Sequence, residues 1–182
     1  LFDEQWYLER YADVRRSGID PLSHYLKHGA AEGRDPHPLF LTGWYLARNP
    51  EVRESGENPL VHFVRHGAQS HRDPHPRFSV AWYLSQHPQV GASGLNPLLH
   101  YLRVGAALGY DPNPDFDTNW YGVHNPDVGT ANPLVHYVLY GEAEGRPTRP
   151  PSAPAAPVRS EPDAADPYQH WLARNRPNAL AR

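Results

Sequence analysis

The chain has 182 residues, a formal net charge of −3 and neither cysteine nor methionine. A net charge of −3 gives no indication of a basic patch that would bind nucleic acid or an anionic membrane surface. The lack of cysteine excludes disulfides and thiolate metal sites. No apolar run approaches the roughly 20 residues that a membrane-spanning helix needs. Because the chain starts at Leu1, we expect a fragment or a processed product.

A 38-residue repeat organises the first 150 residues. One phenylalanine marks each unit: Phe2, Phe40, Phe78 and Phe116. A Trp-Tyr pair follows at the same spacing: Trp6-Tyr7, Trp44-Tyr45, Trp82-Tyr83 and Trp120-Tyr121. The units are 1–38, 39–76, 77–114 and 115–150, and the last is two residues shorter between Val128 and Asn132. Several unrelated residue types that share one period predict a stack of similar supersecondary units.

The first helical segment of each unit, which we call the opening helix, is predicted to be short. Its N-cap column contains Asp3, Leu41, Ser79 and Asp117, all good capping types except leucine. Asn49-Pro50, His87-Pro88 and Asn125-Pro126 interrupt it, because proline is tolerated only in the first turn of a helix. A further single turn, ending at a Ser-Gly pair, is expected after the proline. Unit 1 has Tyr11-Ala12 here, so we expect that helix to be continuous.

The second segment, which we call the closing helix, carries clearer signals. An N-cap residue followed by proline occurs in every unit: Asp20-Pro21, Asn58-Pro59, Asn96-Pro97 and Asn132-Pro133. In unit 2 the apolar residues then fall on one helical face: Leu60, Phe63, Val64, Gly67 and Ala68. A glycine inside a helix costs about 1 kcal/mol, which a close helix–helix approach would offset. Expected C-terminal stops are Gly33, Gly109 and Gly145.

These segments predict an all-α fold, a solenoid-like array of four helical-hairpin repeats of 38 residues. A single hairpin cannot bury its aromatic face, so neighbouring units have to stack. Residues 151–167, "PSAPAAPVRSEPDAADP", are predicted to form a disordered Pro/Ala-rich linker. Residues 168–182, "YQHWLARNRPNALAR", are predicted to be the opening helix of a truncated second domain.

Histidines are the first candidates for a metal-binding or ligand-binding site. Pairs at i, i+4 spacing occur twice: His24–His28 and His62–His66. Two imidazoles so spaced can share a metal, but units 3 and 4 have Val104 and Tyr140 at the second position and no third ligand is evident. We therefore predict no metal and no other cofactor. The first histidine recurs in every unit, either because it hydrogen-bonds a neighbouring segment or because imidazoles line a binding face.

Aromatic residues are the second candidates, since flat rings suit sugar stacking. Large aromatics at fixed repeat positions are more often core, which we expect for the tryptophans. The tyrosines are expected to keep their hydroxyls at the surface. The candidate binding residues are therefore His24, His62, His100, His136, Tyr7, Tyr45, Tyr83 and Tyr121.

No catalytic residue is predicted. The Asp-x-Asp sequence at Asp115–Asp117 resembles a metal-binding motif, but Asp117 occupies the N-cap column, and a capping role is expected. Glu142 and Glu144 are expected to be solvated. Repeated units also make poor active sites, because catalysis usually needs one asymmetric pocket.

The unit sequences resemble a family of repeats. "FDTNWYGVHNPDV…NPLVHYVLYGEAEGRPTRP" and "FDEQWYLERYADVRRSGIDPLSHYLKHGAAEGRDPHP" are similar to repeats of bacterial proteins of surface-polysaccharide synthesis. There, such units often precede glycosyltransferase or rhamnan-synthesis domains, and "YQHWLARNRP" is similar to the segment that leads into a family-2-type transferase domain. Units 2 and 3 lack the E-G-R ending of the pattern, so a function that depends on that Glu and Arg would not be shared by all four units.

The resemblance implies a non-catalytic repeat region of a bacterial glycosyltransferase of cell-surface polysaccharide synthesis. Its partner would be an acceptor glycan or a protein of the assembly machinery, with no nucleic acid and no transmembrane segment involved. The alternative is a protein–protein or self-association scaffold without glycan binding. We expect a cytoplasmic location, either free or peripheral at the inner membrane.

Overall fold

The computed structural model describes residues 1–151. The predicted linker beyond Pro151 and the predicted helix at 168–182 lie outside the described residues. Within residues 1–151 all helices and turns belong to four consecutive units, and no strand longer than an isolated bridge occurs. No helix there is long and apolar enough to cross a membrane. The all-α repeat architecture is confirmed.

Each unit contains an opening helix, a middle turn and a closing helix. The opening helices are Glu4–Arg10, Thr42–Arg48, Val80–Gln86 and Thr118–His124. The middle turns are Ala12–Ser17, Pro50–Ser55, Pro88–Ala92 and the 3₁₀ turn Pro126–Val128. The closing helices begin as α-helix over Pro21–His24, Pro59–His62, Pro97–His100 and Pro133–His136. They continue as π-helical turns over Tyr25–Gly29, Phe63–Gly67, Tyr101–Gly105 and Tyr137–Gly141.

The predicted helix starts and stops are largely confirmed. Asp3, Ser79 and Asp117 accept the backbone N–H three residues on, whereas Leu41 makes no such cap. The N-cap residues of all four closing helices accept N–H groups of their first turns. After the closing helices, the expected stop glycines adopt left-handed φ angles: Gly33 at 74°, Gly109 at 73° and Gly145 at 67°.

Two local expectations are wrong. Unit 1 does not keep a continuous helix, because Tyr11 breaks it with φ −115° and ψ 80°. The Tyr11 hydroxyl accepts the Asp35 N–H at 2.8 Å and its ring packs on Tyr7, so tertiary contacts override helix propensity. Val64, assigned to the apolar face, is 53% exposed. The π-helical turn widens the helix after Phe63 and changes which residues share its inner face.

Each unit closes on itself. The N–H of Asp3 at the start of unit 1 donates to the carbonyl of Pro36 at its end, at 2.9 Å. The equivalent bonds join Leu41 to Pro74, Ser79 to Pro112 and Asp117 to Thr148. The start and end of every unit therefore meet, and the chain leaves each unit beside the place where it entered.

Successive units are joined by a second set of bonds. An aspartate near the end of each of the first three units accepts the first helical N–H of the next: Asp35 from Thr42, Asp73 from Val80 and Asp111 from Thr118, each at 2.8 Å. The Tyr25 hydroxyl also contacts Thr42 Oγ1 at 3.1 Å, and Thr42 donates to the Arg34 carbonyl. The buried residues of all four units form one continuous core.

Candidate functional site

The predicted histidine and tyrosine columns meet inside the core. In each unit the opening-helix tyrosine hydroxyl contacts Nδ1 of the closing-helix histidine. The pairs are Tyr7–His24 at 3.0 Å, Tyr45–His62 at 2.9 Å, Tyr83–His100 at 2.7 Å and Tyr121–His136 at 3.1 Å. All four tyrosines are fully buried. The surface position expected for their hydroxyls is therefore wrong, because each hydroxyl is used within the unit.

A glycine completes this arrangement and explains the glycine inside every closing helix. A Cβ on Gly29, Gly67, Gly105 or Gly141 would lie only 2.2–2.3 Å from the tyrosine hydroxyl. The sequence predicted that a close approach of two helices would offset the cost of this glycine. A close contact is present, but a tyrosine hydroxyl, not a second helix backbone, approaches the glycine. Tyrosine, histidine and glycine thus form one structural triad per unit.

Burial favours the neutral form of several side chains of these triads. Burial raises the pKa of Tyr7 to about 12, and it also raises that of Tyr45 and Tyr121. Burial lowers the pKa of His62. In unit 4 His136 Nε2 lies 3.4 Å from a carboxylate oxygen of Asp127. His136 thus contacts a carboxylate through one ring nitrogen and the Tyr121 hydroxyl through the other.

The triad offers little to a ligand. A tyrosine ring without exposed surface has no face on which a sugar could stack, and three of the histidines are also buried. Ligand binding at these two columns stays a prediction, and the recurrent histidine makes a hydrogen-bond contact within its own unit in all four units. Its partner is a tyrosine of the same unit rather than a backbone carbonyl.

The other candidate motifs have structural roles as well. Asp117 caps the opening helix of unit 4, as expected, with the Trp120 N–H at 2.8 Å from its carboxylate. Within residues 1–151, no group of three or more His, Cys, Asp or Glu side chains is placed to hold a metal ion. His62 and His66 have ring centroids 5.7 Å apart, but His62 already directs Nδ1 to Tyr45.

The arginine of the E-G-R ending binds back to the middle turn of its own unit. Arg34 contacts both carboxylate oxygens of Asp13, at 2.9 and 2.7 Å, and this hydrogen bonding lowers the pKa of Asp13 to about 2. In unit 2, Arg72 makes the equivalent contacts to Asn49 and Glu51, although Glu and Gly are missing there. Tyr110 replaces this arginine in unit 3 and stacks on His87 at 3.7 Å.

The tryptophans form the repeated aromatic row that lies at the surface. All four are partly exposed and none belongs to the buried core, so their expected core position is wrong: Trp6, Trp44, Trp82 and Trp120. The residue four positions later covers three of them. The guanidinium of Arg48 lies 4.7 Å from the Trp44 ring, that of Arg10 lies 5.3 Å from Trp6, and His124 stacks on Trp120 at 4.2 Å.

Neither hydrophobicity nor spacing distinguishes the two adjacent aromatic columns, because Trp and Tyr are neighbours about 100° apart on the helix. The joint recurrence of tyrosine, histidine and a mid-helix glycine was the signal for the buried column. A glycine that interrupts an otherwise good helix indicates that something approaches the backbone there.

Comparison of the chain with family models, with curated proteins and with solved structures found no match.

Proposed function

We propose that the array is a non-catalytic, glycan-binding region of a bacterial glycosyltransferase that acts in cell-surface polysaccharide synthesis. The observation that supports it best is the tryptophan row. One partly exposed indole recurs at the same place in each unit, on the opening helix, outside the core that the tyrosines fill.

Indole rings suit this role because the flat C–H faces of a sugar pack well on an extended aromatic surface. A polysaccharide is itself a repeating chain, so a row of equivalent indoles could contact several of its residues together. Weak contacts gain strength when they are linked in this way. An arginine or histidine lies over one face of three of the rings, so a sugar would stack on the other face or displace that side chain, which also supplies hydrogen-bond donors.

The transferase part of the proposal rests on the sequence resemblance. The acceptor glycan or a protein of the assembly machinery would be held by the repeats while another domain performs the transfer. Sequencing the gene beyond the codon for Arg182 tests this part directly, since a downstream reading frame without a transferase domain would contradict it.

The glycan-binding part is tested by calorimetry with a panel of bacterial surface polysaccharides, rhamnose-containing polymers included. We expect Trp44→Ala and Trp82→Ala each to weaken binding at least tenfold, as central tryptophans often contribute roughly 2 kcal/mol or more to an interface. Val123→Ala is the matched control, because Val123 is 76% exposed on an opening helix but outside the tryptophan row. Circular dichroism confirms that each variant is folded.

A protein–protein scaffold without glycan binding is the alternative function. The stacked architecture suits it equally, because solenoids present long surfaces to partner proteins. Failure of every polysaccharide to bind wild-type protein, together with a protein partner lost in Trp44→Ala but retained in Val123→Ala, would favour this alternative.

A further inference from the structure

The helices that carry the tryptophan row have few acidic side chains. The opening helices of units 2 to 4, which are Thr42–Arg48, Val80–Gln86 and Thr118–His124, contain no aspartate or glutamate, although the chain has a net charge of −3. Unit 1 differs, because Glu4 and Glu9 are exposed on its opening helix. Three of the four opening helices therefore place no negative side chain of their own beside their indole.

The N-cap residues distinguish the units further. In units 1 and 4 the N-cap is an aspartate, Asp3 or Asp117, whose carboxylate accepts the backbone N–H of the tryptophan itself. Unit 2 has Leu41 at this position and unit 3 has Ser79. Units 2 and 3 are thus the part of the row where neither the opening helix nor its N-cap carries a carboxylate.

Arg48 adds a positive charge to the row in unit 2. Its side chain is exposed, and its guanidinium lies 4.7 Å from the centre of the Trp44 ring. Within residues 1–151, no carboxylate oxygen lies within 4.0 Å of this guanidinium. Burial raises the pKa of Asp73 and the charge of Arg48 opposes that rise, but the Asp73 carboxylate already accepts the Val80 N–H at 2.8 Å.

Other arginines of the array are used differently. Arg34, Arg72 and Arg146 each contact a carboxylate on the middle turn of their own unit. Such a pair links two segments of the fold and neutralises the arginine charge within the protein. Arg48 makes no such pair, so its charge is available to an anion from outside.

A guanidinium beside an indole suits one class of sugar. Arginine presents its N–H donors in a planar fork that matches the two oxygens of a carboxylate. The neighbouring indole offers a flat apolar surface to the C–H face of the same sugar ring. A neutral sugar makes only uncharged hydrogen bonds of this kind, which are about half as strong as the charge-assisted ones.

We propose that the glycan bound by the tryptophan row is acidic, and that Arg48 beside Trp44 binds a carboxylate of one of its sugars, such as a uronic acid. This inference rests on the proposed glycan-binding function and adds the chemical class of the ligand. Arg10 of unit 1 shares its helix with two glutamates, and Gln86 at the same position of unit 3 is uncharged and buried. The selectivity for an acidic sugar is therefore assigned to unit 2.

The test is calorimetry on the full chain with bacterial surface polysaccharides that contain glucuronic acid, and with the same polymers after chemical reduction of their carboxylates to alcohols. We expect the reduced polymers to bind about fivefold more weakly or worse. Added salt should weaken binding of the acidic form and change that of the reduced form little. Equal or tighter binding of the reduced form, or binding confined to neutral polysaccharides, would overturn the inference and leave glycan binding intact. If no polysaccharide binds, the proposed function fails and this inference fails with it.

Substitutions then test the assignment to Arg48. Arg48→Gln is expected to weaken binding of the acidic form by about the same factor and to leave the reduced form unaffected, whereas Trp44→Ala should weaken both. Arg53→Gln is the matched control, because it removes one exposed positive charge from the middle turn of the same unit. An Arg48→Gln variant whose two affinities are unchanged or equally reduced would contradict the assignment, as would the same selective loss in Arg53→Gln.

Discussion

The Tyr83 hydroxyl lies 2.7 Å from His100 Nδ1, and both side chains are buried. The same hydroxyl occupies the space where a Cβ at position 105 would stand, 2.2 Å away. The tyrosine hydroxyl thus bonds the histidine and at the same time requires glycine at the neighbouring helix position. The same arrangement is repeated in every unit. The position of the closing helix against the opening helix follows from it.

Gly105→Ala is expected to destabilise the protein by about 1–3 kcal/mol, the usual cost of overpacking, although alanine is the better helix former. The matched control is Gly122→Ala, since Gly122 lies inside an opening helix with nothing within 4 Å of its Cβ position. That variant should gain up to about 1 kcal/mol. Urea denaturation measures both. A stabilising Gly105→Ala would contradict the packing described for Tyr83.

Thr42→Val is expected to cost about 1–3 kcal/mol, because it leaves the buried Tyr25 hydroxyl and the Arg34 carbonyl without their partner. Adding Tyr25→Phe should recover part of that loss. The double variant copies the junction of units 2 and 3, where Phe63 and Val80 occupy these two positions. A double-mutant cycle in urea gives the coupling energy, and strictly additive effects would show that the pair is not coupled.

Acidification below about pH 6.5 is expected to destabilise the fold through two buried histidines. Burial lowers the pKa of His37 to about 3 and that of His75 to about 4. The unfolded chain therefore binds protons first as the pH falls, and each histidine removes on the order of 2 kcal/mol of stability by pH 5. Denaturant midpoints between pH 7 and 5 measure this slope.

The control for the pH effect is His37→Asn with His75→Asn. Asn113 holds the equivalent turn in unit 3, where its side-chain oxygen accepts the Asp115 N–H at 2.8 Å. His37 Nδ1 accepts the Leu39 N–H in the same manner at 2.9 Å. The asparagine variant should fold and lose most of the slope between pH 7 and 5. An unchanged slope would assign the acid sensitivity to other groups.

His71→Gly is expected to stabilise the protein by about 0.5–1 kcal/mol. His71 is the one non-glycine residue with a positive φ in residues 1–151, at 54°, and its counterparts Gly33, Gly109 and Gly145 are glycines. Relief of the left-handed strain exceeds the entropy that glycine adds to the unfolded chain. Gly33→Ala, with free space around its Cβ position, should be destabilising by a similar amount. Thermal melts of both variants distinguish strain from side-chain contacts.

The sequence predicted the parts of the fold that depend on local chemistry. The period, the N-caps, the prolines at first helical positions and the stop glycines all follow from short-range rules. Tyr11 shows where such rules fail, because its helix break depends on Asp35, 24 residues away.

The candidate site was predicted less well for a related reason. Amphipathicity shows that a helix has an inner face, but it cannot show which of Trp82 and Tyr83 occupies it. The decision depends on a partner for the hydroxyl, His100, which is 17 residues further along the chain. The π-helical turn that sets the position of Gly105 has no signature in the closing-helix pattern.

The backbone bond between Asp3 and Pro36 and its three equivalents have a consequence for how such arrays change in evolution. Because the start and end of a unit lie side by side, duplication or loss of one internal 38-residue segment in the gene would leave both neighbours with the surfaces they already fit. The length of the array can therefore vary by whole units.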